Sequence, residues 1–324
     1  MPQAIRIHAV GGPEVLVLED VAVGAPGPGE ARVRHTVIGL NYIDTYHRTG
    51  LYKLPLPAGI GLEAAGVVEA VGAGVDYLKA GDRVAYCGGG PGSYSTERVM
   101  AADRLVPIPA GVDDETAATL MLKGLTVQYL FRQTFPLQGG ETILFHAAAG
   151  GVGLVACQWA RALGVTMIGT VGSDDKAALA KAYGCAHTIV YTREDFVART
   201  REITGGKGVP VVYDSIGKDT FPQSLDVLQP RGMFVSFGSA SGPVPAFELS
   251  LLAQKGSLFA TRPTLFSYAT TRQALLAMAD DMFALVAAGK LKSEARQRFA
   301  LKDAAAAHRA LESRATTGAT VLLP

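Results

Sequence analysis

The sequence predicts an α/β protein with two parts: an all-β, barrel-like part and a doubly wound domain built on a six-stranded parallel sheet. Three observations lead to this prediction. The chain has 324 residues, which is more than one hydrophobic core usually spans. Short apolar runs between Gly and Pro turns fill its first third. From residue 142 onward, apolar runs alternate regularly with segments long enough for helices.

The composition excludes several functional classes. The chain has 30 Lys and Arg against 29 Asp and Glu, a net charge of +1, so we expect no nucleic-acid partner. Cys87, Cys157 and Cys185 show no metal-binding or disulfide spacing, which fits a reduced, cytoplasmic protein. The uncharged stretch Thr142–Ala160 nearly matches the length of a bilayer span. Because it contains His146 and a glycine turn, a buried strand, turn and helix explain it better, and no membrane partner is expected.

The first part reads as short strands separated by turns. Its apolar runs predict strands at Ile5–Val10, Val15–Val21, Ala31–Leu40, Ala64–Val71, Arg83–Cys87 and Thr96–Ala101. Such a succession is typical of a barrel. A long helical segment follows at Glu115–Phe135, with Asp113 as its cap and a break expected near Gly124.

The second part alternates between strands and helices. Six buried parallel strands are predicted at Thr142–Ala147, Thr166–Val171, His187–Tyr191, Pro210–Asp214, Met233–Phe237 and Ser257–Thr261. The first crossover helix has one apolar face, formed by Val152, Val155, Ala156, Trp159, Ala160 and Leu163. A helix at Thr270–Ala288 and a strand at Ala319–Leu323 are expected to rejoin the N-terminal part.

A glycine motif stands where the first of these strands meets its helix. In the pattern G-x-G-x-x-G, Ala148 takes the first position, Gly150 the second glycine position and Gly153 the third. The helix N-terminus near Gly151 and Val152 offers backbone N–H groups to an anion. Small residues here could also serve only to let the helix pack closely on its strand. The five strands that follow favour a dinucleotide site over that alternative.

The end of the second strand distinguishes NADPH from NADH. NAD sites place an acidic residue there to bind the ribose. Here the strand ends in Gly172, Ser173, Asp174, Asp175 and Lys176. A serine and a lysine suit a 2′-phosphate, so NADPH is the predicted cofactor, although the two aspartates weaken this interpretation.

Motifs along almost the whole chain resemble one family. They are GGPEVL (11–16), NYIDTYHRTGLY (41–52), GLEAAGVVEAVGAGV (61–75), GDRVAY (81–86), KGLTVQYL (123–130), VVYDSIG (211–217), FVSFGSASG (234–242) and LESRATTG (311–318). Together with the glycine motif they resemble the NADPH-dependent quinone oxidoreductases of the zeta-crystallin type. These form a zinc-free branch of the medium-chain dehydrogenase/reductase superfamily.

The resemblance implies an arrangement of domains. Residues 1–122 and 263–324 would form a GroES-like β-barrel domain, and residues 123–262 a Rossmann domain that binds NADPH. A homodimer joined through the Rossmann domains is implied as well.

The resemblance also assigns site residues. Contacts to NADPH are implied for Asn41, Tyr42, Ile43, Asp44, Tyr46, Lys123, Thr126, Tyr129, Gly150, Gly151, Val152, Gly172, Ser173, Lys176, Tyr191, Ser215, Phe237, Gly238, Ser239, Arg262 and Arg314. Asn41, Tyr46 and Tyr52 are the candidate catalytic residues. The two tyrosines are suited to donate a hydrogen bond to an acceptor oxygen, but aromatic packing around the cofactor explains Tyr52 equally well.

No zinc is expected. Zinc-dependent relatives carry a Gly-His-Glu segment, whereas this chain has Gly61-Leu62-Glu63, and leucine cannot bind a metal. The six histidines show no ligand spacing, with His47 the least certain of them.

Three functions remain open at this point. Without a metal to polarise an alcohol, a quinone is the preferred acceptor, because it delocalises the incoming negative charge. Reduction of the C=C bond of α,β-unsaturated ketones or aldehydes (enones) needs the same hydride donor and one protonation. A protein that binds NADPH and serves a structural or RNA-binding role is the non-enzyme alternative, against which the balanced charge argues.

Overall fold

The protein is described from a computed structural model of residues 1–324. It forms two compact units, which we call unit 1 (Met1–Leu125 with Ala269–Pro324) and unit 2 (Thr126–Tyr268). The domain boundaries predicted from the sequence lie a few residues earlier in each case and stay a prediction.

The strands and helices follow one another along the chain. In unit 1 they begin with β1 (Gln3–Ile7), β2 (Val17–Asp20), β3 (Glu30–Leu40), α1 (Tyr42–Thr49), β4 (Ala58–Gly59), β5 (Glu63–Val71), β6 (Arg83–Cys87), β7 (Glu97–Ala101), β8 (Val106–Pro107) and α2 (Asp114–Tyr129), which crosses into unit 2. Unit 2 continues with β9 (Thr142–Phe145), α3 (Gly151–Leu163), β10 (Thr166–Val171), α4 (Asp174–Ala182), β11 (His187–Val190), α5 (Phe196–Ile203), β12 (Val209–Asp214), α6 (Gln223–Asp226), β13 (Leu228–Ser236), α7 (Ser250–Gln254) and β14 (Phe259–Thr261). The chain returns to unit 1 with α8 (Arg272–Ala287), β15 (Ala295–Ala300), α9 (Ala304–Glu312) and β16 (Ala319–Leu323).

Unit 1 is built on two sheets. A small sheet has the order β2-β1-β4, and a seven-stranded sheet has the order β15-β16-β3-β5-β6-β8, with β7 also paired to β3. The expected return of the C-terminal strand is confirmed, because β16 lies antiparallel to β3 with Val321 opposite Gly39. Alternate residues of β3, including Ala31 and Val33, point into a core that Ile5 and Tyr94 also enter.

Two expectations for unit 1 are wrong in detail. β1 ends at Ile7, and Pro13–Val15 form a 3-10 turn before β2, because the glycines and proline between them interrupt the extended chain. Helix α2 also continues through Gly124 without a break. A Cβ there would lie 2.2 Å from Sδ of Met282, so this glycine lets α2 pack against α8.

Unit 2 contains the predicted doubly wound sheet. Its six strands are all parallel in the order β11-β10-β9-β12-β13-β14. The order reverses between β9 and β12, which is where such folds bind ligands, beyond the carboxyl ends of the strands. The apolar face of α3 is buried, with Trp159 only 1% exposed. None of the helices in the whole chain combines the length and apolar composition that crossing a bilayer requires.

Candidate active-site residues

The glycine motif forms a tight loop between β9 and α3. Gly150 is the N-cap of α3, and its N–H donates to the carbonyl oxygen of Ala147, 3.0 Å away. Ala147 itself has a φ of 57°, which is rare for a residue with a side chain. A Cβ on Gly153 would lie 2.3 Å from the same carbonyl oxygen, so only glycine lets α3 begin this close to the loop. The first-turn N–H groups of Gly151 and Val152 therefore stand at the carboxyl edge of the sheet.

A buried histidine ties this loop to its neighbours. His146 Nδ1 lies 2.9 Å from Oγ1 of Thr170, and its Nε2 lies 3.0 Å from Oγ of Ser224. Burial lowers the pKa of His146, against a smaller opposing effect of Asp214. The imidazole is therefore neutral near pH 7 and links the ends of β9 and β10 to α6. His146 is thus a core residue with both ring nitrogens hydrogen-bonded.

Four residues for which the resemblance implies contacts to the adenosine phosphate of NADPH, Gly172, Ser173, Lys176 and Tyr191, lie at the ends of β10 and β11; the fifth, Arg314, follows α9 in unit 1. Ser173 is the N-cap of α4, where its hydroxyl accepts the N–H of Lys176 at 3.3 Å. A Cβ on Gly172 would lie 3.0 Å from the hydroxyl oxygen of Tyr191, whose side chain is 46% exposed. The helix N-terminus, one lysine, one hydroxyl and one exposed aromatic ring together have the chemistry of an anion-binding arrangement.

Arg193 belongs to this arrangement, although the sequence analysis did not identify it. Its guanidinium makes two hydrogen bonds to the carboxylate of Asp174, one of them 2.7 Å long. That contact lowers the pKa of Asp174. One of the two carboxylates that weakened the NADPH prediction is therefore paired with a cation. The signal for Arg193 was its position just after β11, because neighbouring parallel strands end at the same edge.

The loops after β12 and β13 hold the residues expected near the nicotinamide. Asp214 fixes the first loop, since its Oδ1 accepts the N–H groups of Ile216 and Gly217 at 2.7 and 3.0 Å. A Cβ on Gly238 would lie 2.6 Å from the carbonyl oxygen of Ser215, so the two loops approach at a position that needs glycine. The fit of these residues to a dinucleotide rests on this close, glycine-lined approach of the two loops.

Other predicted residues of unit 2 surround that edge. Phe237 is half-buried and packs on Phe145 with ring centroids 5.5 Å apart, and Ser239 follows in the same loop. Arg262, after β14, donates to the carbonyl oxygen of Ser236 at 3.2 Å. Thr126 is half-buried in α2, and the buried Tyr129 stacks on Tyr268 at 4.7 Å, so ring packing is the role the structure shows for Tyr129.

In unit 1, a buried ion pair connects β5 to α2. Glu63 is 0% exposed, and its Oε2 accepts from Lys123 Nζ and from Asn41 Nδ2, both at 2.8 Å. Its Oε1 accepts the backbone N–H of Leu122 at 2.6 Å. A Cβ on Gly39 would lie 2.2 Å from Oε2, so this glycine makes room for the carboxylate. Neither Glu63 nor this pairing of Asn41 and Lys123 was expected from the sequence.

A chain of hydrogen bonds leads from the surface of unit 1 to Asp44. Glu312 accepts two hydrogen bonds from Arg48 at 2.7 and 2.8 Å, and Arg48 donates to His308 Nδ1 at 3.0 Å. His308 Nε2 lies 3.1 Å from the hydroxyl of Tyr94, which donates to Asp44 Oδ2 at 2.9 Å. Burial raises the pKa of Asp44 to about 7 and lowers that of His308 to about 3.

Tyr42 and Tyr46 of α1 form an aromatic cluster with His47 and with Tyr52, which follows the helix. Ring centroids are 5.6 Å apart for Tyr42 and Tyr46, 5.2 Å for Tyr46 and Tyr52, and 5.9 Å for His47 and Tyr52. Packing is thus one role for Tyr52, and proton donation stays a prediction. Ile43 is half-buried on the same helix, and Arg314 is exposed just after α9 with a φ of 60°.

The residues do not form a metal site. No group of three or more His, Cys, Asp and Glu side chains in the chain has the geometry to hold a metal ion. Leu62 precedes Glu63, and the two carboxylate oxygens of Glu63 already accept three hydrogen bonds.

Two family models match the chain. Residues 27–110 match the model described as "Alcohol dehydrogenase GroES-like domain", and residues 151–281 match "Zinc-binding dehydrogenase". The first falls within unit 1. The second begins at the N-terminus of α3.

Several relatives match over the full length. A quinone oxidoreductase of Pseudomonas aeruginosa is 58% identical, and the match covers 100% of both chains. A 2-haloacrylate reductase of a Burkholderia species is 48% identical over 100% of this chain and 99% of its own. The crystal structure of the Escherichia coli quinone oxidoreductase complexed with NADPH is 50% identical, with a TM-score of 0.98 over 99% of this chain and 100% of that one.

Proposed function

The chain belongs to the quinone oxidoreductases of the medium-chain dehydrogenase/reductase superfamily, and we propose that it reduces quinones with NADPH and without zinc. The observation that carries the choice of cofactor is the anion-binding arrangement at the ends of β10 and β11. There Ser173 and Lys176 stand at a helix N-terminus, and Arg193 pairs with the carboxylate of Asp174.

Each group of residues has a distinct task toward the cofactor. NADPH supplies a hydride to the acceptor. The N–H groups of Gly151 and Val152 bind the pyrophosphate, while Ser173, Lys176 and Tyr191 bind the adenosine phosphate. The two loops with Ser215, Phe237, Gly238 and Ser239 orient the nicotinamide half. Holding donor and acceptor in one geometry away from water is the main contribution the protein makes.

The cofactor assignment is tested by Lys176→Ala. Lysine at this position attracts the 2′-phosphate that NADH lacks, so we expect the ratio of kcat/KM for NADPH over NADH to fall about tenfold or more. Lys181→Ala, a change to an exposed lysine on the same helix, is the matched control and should leave the ratio unchanged. An unchanged ratio in Lys176→Ala would refute the assignment.

Reduction of activated C=C bonds is the second candidate function. The 48% identity to a 2-haloacrylate reductase favours it, because that protein's name describes a compound with a C=C bond next to a carboxylate. A panel of quinones, enones and 2-haloacrylates, followed by NADPH consumption, ranks the two functions by kcat/KM. Consumption with none of them, together with salt-sensitive RNA binding, would favour the non-enzyme alternative.

We also propose that the protein is a cytoplasmic homodimer joined through unit 2. β14 is an edge strand that pairs only with β13, and it exposes 55% of Phe259. Nearby in sequence, 77% of Leu249 is exposed. An apolar edge strand of this kind favours pairing with a second copy.

The proposed cytoplasmic location rests on the cysteines. The three cysteines are all buried free thiols, which suits a reducing compartment.

A further inference from the structure

Lys123 has hydrogen-bonding capacity that the fold does not use. Its side chain is 5% exposed, and its Nζ donates to Glu63 Oε2 at 2.8 Å. An ammonium group carries three N–H donors, and Glu63 is its only hydrogen-bond partner in unit 1. Buried donors are nearly always satisfied, so the two remaining N–H groups point to a ligand.

The ammonium is held firmly in place. Glu63 is fully buried, and its other hydrogen bonds come from Asn41 and from the backbone of Leu122. If Lys123 turned toward water, a buried carboxylate would lose its counter-charge, which is strongly unfavourable. The lysine is thus a fixed positive charge at low exposure. Such a preorganised donor acts most strongly where negative charge develops during a reaction.

We propose that the two unused N–H groups of Lys123 bind the carbonyl oxygen of the quinone and stabilise the negative charge formed on it. This assignment rests on the proposed quinone reductase function. Hydride addition breaks the C4–H bond of NADPH and gives NADP⁺, while the quinone gains two electrons and one hydrogen. The anionic oxygen then takes a proton from water, and Lys123 keeps its own. Lys123 thereby performs the charge stabilisation for which other reductases use a metal ion.

The test needs a variant that keeps the site electrically neutral. Lys123→Met alone leaves Glu63 unpaired, so it is combined with Glu63→Gln, whose amide oxygen still accepts from Asn41 or Leu122. The matched control is Lys79→Met with Asp82→Asn, which removes a lysine–carboxylate pair on the surface of unit 1, where the lysine side chain is 83% exposed. Thermal unfolding of both double variants confirms that they fold.

Three quantities are measured for wild type and both double variants. They are the Kd of NADPH, the kcat for a quinone, and the Kd of 4-nitrophenolate on the NADP⁺-loaded protein, where the phenolate oxygen imitates the charged product. For Lys123→Met/Glu63→Gln we expect an NADPH Kd within about twofold of wild type. The kcat should fall about 10²-fold or more, as on removal of an oxyanion donor, and nitrophenolate should bind at least about tenfold more weakly.

Other results would overturn the proposal. A tenfold weaker binding of NADPH with unchanged nitrophenolate binding would place Lys123 at the cofactor instead, as the family resemblance implies. Unchanged values of all three quantities would make the ion pair purely structural. Because nitrophenolate binding requires no turnover, it still tests the role of Lys123 if the wild type reduces no quinone, which would refute the proposed function alone.

Discussion

At the level of single residues, Asp44 shows how neighbouring groups determine where a buried carboxyl group is protonated. Arg48 can only donate, so His308 Nδ1 must accept and its Nε2 must carry the hydrogen. That hydrogen points at the oxygen of Tyr94, whose own hydroxyl hydrogen goes to Asp44 Oδ2. The N–H of Asn41 also donates to Oδ2 at 2.9 Å, while Oδ1 is buried without a partner. When Asp44 is protonated, its proton is therefore on Oδ1.

The raised pKa of Asp44 predicts how stability depends on pH. Burial raises this pKa to about 7 in the folded protein, so the fold holds a proton that the unfolded chain releases near pH 4. The corresponding stability is present below the unfolded pKa and is lost as the pH rises through 7. We expect Asp44→Asn to abolish this loss, so that its free energy of unfolding between pH 5 and 8 declines less than that of wild type.

Urea unfolding at pH 5, 6.5 and 8 measures the effect. His308, whose pKa is lowered to about 3, acts in the opposite direction, because its stability is lost as the pH falls below about 6.5. That contribution remains in both proteins and cancels in the comparison. Asp76→Asn, on an exposed residue of unit 1, is the control. Parallel pH profiles for wild type and Asp44→Asn would contradict the prediction.

Arg193 gives a second prediction at this scale. Removing its guanidinium leaves Asp174 as an unpaired negative charge beside the proposed 2′-phosphate site. We expect Arg193→Ala to raise the KM for NADPH several-fold with little change for NADH, and Asp174→Asn added to it to restore the KM. Arg199→Ala removes another exposed ion pair of unit 2 and should have no effect. An equal change for both cofactors would show that Arg193 acts on the fold instead.

At the level of elements, the junction of β9 and α3 depends on one glycine more than on its neighbour. A methyl group on Gly153 would lie 2.3 Å from one backbone oxygen and 2.6 Å from the carbonyl group of Ala148, and the backbone cannot easily yield. On Gly150 the nearest contact would be 3.2 Å. We expect Gly153→Ala to cost about 1–3 kcal/mol in unfolding free energy, and Gly150→Ala distinctly less. Thermal unfolding of the two variants side by side checks the order, which the reverse ranking would disprove.

Elements were predictable from the sequence where a local pattern defines them. The apolar runs of unit 2 identified all six strands, and Asp113 caps α2 as expected, with its Oδ1 accepting the N–H of Thr116 at 2.6 Å. The break expected at Gly124 was wrong for a non-local reason. A glycine in a helix pattern weakens the helix. Here, however, Met282 from a distant part of the chain occupies the space that a side chain at Gly124 would need.

At the level of the whole molecule, site residues that lie close together in the sequence were predicted, whereas pairs that lie far apart in the sequence were not. Gly150 and Gly153 form one local motif, and Ser173 and Lys176 form another, so each arrangement was foreseeable. The network of Arg48 and Glu312 joins residues 264 positions apart, and Glu63 meets Lys123 across 60 positions. No spacing rule indicates such pairs. The first pair forms because α9 returns to the N-terminal part, and the second because α2 lies beside β5.

The proposed homodimer gives a prediction for the assembly. If β14 pairs with its copy, Phe259 is buried at the interface, and a carboxylate at this position would lose its hydration on association. We expect Phe259→Asp to elute with the mass of one chain in size-exclusion chromatography with light scattering, whereas wild type elutes with the mass of two. Phe266→Asp changes another exposed phenylalanine of unit 2, 42% exposed against 55%, and should remain dimeric because it lies outside the edge strand. Thermal unfolding of both variants separates dissociation from loss of folding. A wild-type monomer, or a Phe259→Asp protein that stays dimeric, would show that the apolar edge of β14 does not join two copies.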